Sequence, residues 1–110
     1  MARRLIWIKT RQGQTDMRGK VSATVTGDYG WHRAYGRKGY TVTHIPSGHG
    51  VATFPNGYQA RSLITHLISH NIVIPADMTI GNVPAELTAQ VLPLIRLCRE
   101  SAVSNQLVTA

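Results

Sequence analysis

At 110 residues the chain has the length of one domain, 1–110, and an apolar content of 43% is enough for a modest core and excludes wholesale disorder. The single cysteine, Cys98, excludes an intrachain disulfide and fits a reducing compartment or a redox-indifferent role. The net charge of +7 is unevenly spread: residues 1–45 set Arg3, Arg4, Lys9, Arg11, Arg18, Lys20, Arg33, Arg37 and Lys38 against Asp16 and Asp28, whereas the remainder balances Arg61, Arg96 and Arg99 with Asp77, Glu86 and Glu100.

The first eight residues begin like a secretory leader, but the apolar run stops at Lys9, short of the ~7–15 residues an h-region needs. No stretch approaches the ~18 apolar residues of a membrane span, so the expected location is the cytoplasm. Leu5-Ile-Trp-Ile8 is too short for a helix, and its β-branched and aromatic content predicts a strand. Arg11 to Gly19 lacks periodicity and reads as a loop. Arg3, Arg4, Arg11 and Arg18 are then either an arm that follows phosphates or a solvated terminus and loop.

Lys20 to Thr26 alternates strictly, with Val21, Ala23 and Val25 on one face, the signature of a half-buried strand. Gly27-Asp28 supplies a turn. Tyr29, Trp31, Arg33 and Tyr35 then occupy alternate positions and share one strand face. Gly36-Arg37-Lys38-Gly39 reads as a turn with two cations at its tip. Tyr40 to Ile45 and Val51 to Phe54 are further strands, separated by the turn Pro46 to Gly50. Connections this short permit antiparallel pairing only, so the expected sheet is a meander of four or five strands.

Asn56 is a good N-cap and Gln59 completes a capping-box spacing. Ala60, Leu63, Ile64, Leu67 and Ile68 keep one face of a helix over Tyr58 to His70, and Asn71 suits a left-handed exit. Ile72-Val-Ile74 is either an edge strand or a buried connection. A linker over residues 76–82 leads to a second helix, opened by Asn82 and Pro84 and carrying Leu87, Val91, Leu94, Ile95 and Cys98 on one face. Pro93 predicts a kink or break within it, and the tail from Ser101 is expected to fray. The fold class is α+β: an antiparallel meander with one helix packed on one face and a Pro-kinked C-terminal helix. Residues 1–56 are mainly β and basic, residues 57–110 mainly α and charge-neutral.

No catalytic constellation is legible. The five acids form no local pair, and no phosphate loop, dinucleotide fingerprint or nucleophile elbow is present. His66 and His70 share a helix face but lack further ligands for a metal. His32 and His44 are either core residues or stacking partners for a base. Cys98 falls on the apolar helix face, as an inert thiol would. The expectation is a non-enzymatic protein without metal or cofactor.

The basic half also carries most of the aromatic residues. Bases stack on Tyr and Trp, and Arg both stacks and binds phosphate. The sequence therefore predicts nucleic-acid binding, DNA or RNA, through an exposed basic, aromatic sheet face and the hairpin turn. The residues expected to carry it are Trp31, Arg33, Tyr35, Arg37, Lys38 and Tyr40, with Arg3, Arg4, Arg11 and Arg18. The opposing reading of the row is a core beneath the helix, in which Arg33 would be a costly misfit. The alternative function is a small protein-interaction module, an inhibitor or assembly factor that docks an acidic surface or homodimerises.

Gly39-Tyr40-Thr-Val-Thr-His-Ile-Pro-Ser-Gly48, followed by Phe54, Ala60 and Leu67, resembles the sheet-plus-helix units of DNA-binding domains such as the plant AP2 domain and the arm-binding domains of phage integrases. The resemblance is one of strand-turn-strand-helix pattern, and it assigns no functional residue.

Overall fold

The computed structural model describes residues 2–12, 15–34, 38–78 and 82–109, with the side chains of 3–9, 19–34, 38–78 and 82–100. Five strands, β1 (Ala2–Gln12), β2 (Thr15–Thr26), β3 (Tyr29–Arg33), β4 (Tyr40–His44) and β5 (His49–Phe54), precede helices α1 (Gly57–Ser69) and α2 (Ala85–Thr109). The strands form one antiparallel sheet in sequence order, an α+β meander as the short turns require.

The segment from Arg11 to Gly19, expected as a loop, instead extends the first hairpin. β1 pairs β2 continuously from Ala2↔Val25 through Trp7↔Lys20 to Gln12↔Thr15. Main-chain pairing does not depend on apolar side chains, and once Ile6 and Ile8 anchor β1 the ladder propagates through polar residues.

Among the described side chains of the hairpin, alternation buries one face only. Ile6, Ile8 and Ala23 form a small core with Val21, Val25 and Ile45. Gly30 makes room for it: a Cβ there would stand 3.2 Å from the Ala23 methyl and 3.3 Å from Ile6 Cδ1. The Lys9 amide donates to the Gly48 carbonyl at 2.8 Å, which brings β1 to the β4–β5 turn and curls the sheet around this core.

The larger core lies on the opposite side of β3, β4 and β5. Tyr29, Val42 and Phe54 pack there against Ala60, Leu63, Ile64 and Leu67 of α1 and Leu87, Val91, Leu94, Ile95 and Cys98 of α2. Residues directly opposed across a ladder share a face, and the register pairs Trp31 with Val42 and Arg33 with Tyr40. The row Tyr29, Trp31, Arg33 thus belongs to the helix side of the sheet, not to an open face. Tyr29 is buried, Trp31 is half-buried against the core, and Arg33 is exposed where the strand runs out beyond the helix.

Asn56 caps α1, its Oδ1 accepting the Gln59 amide at 2.9 Å, and Asn71 leaves the helix at φ 53°. The segment 72–74 is a connection rather than a strand, with Ile74 buried. α2 includes Pro93 without a break and continues to Thr109, past Ser101, where fraying was expected. The apolar face from Leu87 to Cys98 docks on the core on both sides of the proline, and that burial offsets the lost helix hydrogen bond.

Candidate nucleic-acid interface

The helices pack on β3, β4 and β5, so the outer face of the β1–β2 hairpin carries side chains that pack on no helix. Leu5 is 65% and Trp7 54% exposed, two positions apart on one side of β1. Their cross-strand partners are Ser22 and Lys20. The Lys20 ammonium stands 4.8 Å above the Trp7 ring, and the Arg3 Nε donates to Ser22 Oγ at 3.0 Å. A cation held over an exposed indole is weakly stabilising for the fold, and it also keeps a π-face and a charge side by side at the surface.

A second feature adjoins this face. β2 and β3 pair only at Thr24↔Trp31, Val25↔Gly30 and Thr26↔Tyr29. Beyond Thr24, β2 continues with β1 while β3 continues with β4, and the sheet forks. The fork opens into a recess of about 500 Å³ whose walls include Arg3, Ser22, Thr24, Trp31, Arg33 and Tyr40. Trp31 and Tyr40 meet edge-to-face, with centroids 5.7 Å apart and planes at 68°. The Arg33 guanidinium lies 5.9 Å from the centre of the Tyr40 ring. The Trp31 Nε1 is buried and has no acceptor among the described residues.

Of the residues singled out from sequence, the fork thus brings Arg3, Trp31, Arg33 and Tyr40 together. Lys38 is exposed in the β3–β4 turn, which closes with the Ala34 amide on the Gly39 carbonyl at 2.9 Å. Tyr35 and Arg37 lie outside the described residues. Arg4 is exposed on the side of β1 opposite Arg3, next to the small core. Arg11 and Arg18 sit in the paired backbone of the hairpin, not in a free arm, and their side chains lie outside the described residues. Sequence reasoning missed Trp7, Lys20, Ser22 and Thr24. The alternation of Arg3, Leu5, Trp7 and Lys9 was the available signal.

The histidines of the sheet are interior groups. His32 is buried, with Nδ1 2.9 Å from the Arg33 carbonyl and Nε2 2.7 Å from Thr43 Oγ1. A carbonyl only accepts, so Nδ1 carries the proton and Nε2 accepts from the threonine hydroxyl. Burial pulls the His32 pKa down, with the Arg33 carbonyl opposing. His44 is also buried, its Nδ1 2.8 Å from Ser47 Oγ. Burial lowers its pKa, Asp28 opposes this, and His49 adds to the depression. Both rings are thus held inside the sheet, and His32 also borders the recess at the fork.

Among the described residues, no three His, Cys, Asp or Glu side chains come together to hold a metal ion. The Cys98 thiol is pushed up by burial, against a smaller effect of Ser62, which disfavours the reactive thiolate. No helix among the described residues is long and apolar enough to cross a membrane. No protein-family model, curated protein or solved structure matches the chain, so the likeness over Gly39 to Leu67 remains a pattern only.

Proposed function

We propose that this protein is a non-enzymatic nucleic-acid binder that uses the outer face of the β1–β2 hairpin and the adjoining end of β3. The observation that carries the reading is the pairing of exposed Trp7 with Lys20 on a face that also presents Arg3 and Leu5. Large exposed apolar side chains side by side mark a surface that meets a partner. The cations around them select a polyanion, because each phosphate neutralised releases condensed counterions. The two acids of this half stand apart, Asp16 near the tip of the hairpin and Asp28 in the β2–β3 turn. Stacking and charge together give affinity with little sequence preference.

Fluorescence anisotropy of a labelled oligonucleotide at rising salt tests this reading. The expected result is binding at low salt whose log–log dependence on salt has a clear negative slope. No binding at low salt, or binding indifferent to salt, removes it. The exposure of Leu5 beside Trp7 also supports a second reading, a contact with another protein or a second copy of the chain. Sedimentation at rising concentration distinguishes that case: a dimer lost in Trp7→Ala favours it.

A further inference from the structure

The fork between β2 and β3 has the dimensions and chemistry of a site for a single nucleotide unit. Resting on the reading above, we infer that the recess takes one unstacked nucleotide of a single strand, with its phosphate between Arg3 and Arg33 and its base against Trp31 and Tyr40. The protein would then prefer single strands to duplex.

Three observations lead there. The volume of about 500 Å³ falls within the ~300–1,000 Å³ typical of small-ligand sites. Its walls divide by chemistry. Arg3 enters from β1 and Arg33 from β3, two guanidinium groups of the kind that fork onto phosphate oxygens. Ser22 and Thr24 add hydroxyls from β2, and Trp31 with Tyr40 adds an aromatic corner.

The recess also arises from broken pairing. The pairs that would follow Thr24↔Trp31 in register are not formed, so both strand edges bordering the recess present main-chain groups that a ladder would otherwise consume. The His32 ring occupies one of these groups, the Arg33 carbonyl. Trp31 contributes its ring to this wall, while its indole N–H is buried without an acceptor among the described residues.

Shape decides between strand types. A base in a duplex shows only its edges and is stacked on both faces. Entry into a recess with an aromatic corner requires an unstacked base, which a single strand supplies at little cost and a duplex only by disruption. A duplex would meet the outer hairpin face through its phosphates alone.

The experiment compares fluorescein-labelled oligothymidylate with the same strand annealed to oligoadenylate, by anisotropy with the full chain at fixed low salt. Thymidine monophosphate and inorganic phosphate serve as competitors. The expected result is a single-strand preference of about tenfold or more, the scale of one stacked base, with the mononucleotide competing better than phosphate. The double variant Arg3→Ala/Arg33→Ala should lose most of that preference. The charge-preserving Arg3→Lys/Arg33→Lys should lose part of it, because a lysine cannot fork. Both sites are exposed, and circular dichroism melts check that the variants fold. Equal affinity for the two strand types, or a preference untouched by the double alanine variant, overturns the inference. Salt-dependent binding that persisted in that case would leave the broader reading standing, whereas no binding of either strand by the unaltered protein removes both.

Discussion

Gly57 lies against the six-membered ring of Trp31, so closely that a Cβ at that position would stand 2.8 Å from Cζ3 and 3.1 Å from Cη2. The first turn of α1 therefore seats on the indole and fixes the wall of the fork. Gly57→Ala tests the seat. Helix propensity alone would favour alanine by up to ~1 kcal/mol, but overpacking a seated ring costs ~1–3 kcal/mol. The expected outcome in a thermal melt is a net loss of about 1 kcal/mol. Adding Trp31→Phe should bring the pair well below the sum of the single losses, as coupled neighbours do. A more stable Gly57→Ala protein would show that the ring yields freely.

Asn56 holds the same end of α1 by accepting the Gln59 amide. Asn56→Ala should lower stability by about 1 kcal/mol, and Asn56→Asp should leave it nearly unchanged, because a carboxylate caps as well as an amide. Urea unfolding measures both. Equal losses for the two substitutions would place the effect elsewhere than in the cap.

Acid should weaken the fold through His32 and His44. Both are held below the ordinary histidine value, chiefly by burial. Above about pH 6.5 the unfolded chain is neutral at these positions too, and the full stability is present. As pH falls below that value, the unfolded state takes up protons that the folded state refuses. Stability then drops, by no more than ~1.4 kcal/mol per pH unit for each histidine, until the folded pKa is reached. Melting temperatures measured from about pH 7.5 to about pH 5 should therefore decline on the acid side. A flat profile over that window would show that both rings accept protons in place.

These histidines also mark where the sequence stopped being informative. Local pattern was enough for the strand at Val21 to Val25, the cap at Asn56, the helix face from Ala60 to Leu67 and that from Leu87 to Cys98, because each is set by near neighbours. The placement of His32 and Trp31 depends on which side of the sheet α1 chooses, and alternation assigns residues to faces without saying which face is covered. In sequence, Arg33 argues for an open face, yet it sits on the helix side and is exposed at the end of β3. The extended first hairpin was hidden for another reason: Arg11 to Gly19 gains its order from cross-strand pairing, which leaves no periodic signal in a polar segment.

Trp7 gives a sharp separation of binding from stability. The ring is more than half exposed, and its contact with Lys20 contributes only ~0.5–1 kcal/mol at such a site. Trp7→Ala should therefore cost less than about 1 kcal/mol in a melt, near the range of surface changes. Its affinity for an oligonucleotide should fall at least fivefold, the lower end of what one stacked base contributes at ~1–3 kcal/mol. Unchanged affinity would place Trp7 outside the interface.

The closure of the curled sheet rests on Gly48, whose φ of +76° lies in the left-handed region. Its carbonyl accepts the Lys9 amide at 2.8 Å, and a Cβ there would stand 3.4 Å from Lys9 Cγ and 3.7 Å from both the Lys9 nitrogen and the Trp7 carbonyl. Gly48→Ala combines a backbone cost of about 1–2 kcal/mol for a side chain in this conformation with crowding against β1. The turn has a way to relieve both, by moving away from β1 and giving up the Lys9 bond. The variant should thus melt lower by about 1–2 kcal/mol, and its Lys9 amide should exchange with deuterium faster, while amides in the β3–β4 ladder keep their protection. If β3–β4 lost protection equally, opening would be global and the closure would not be a separate unit. If Lys9 exchange were unchanged despite the lower melt, the strain would stay within the turn, and contact with β1 would not depend on it.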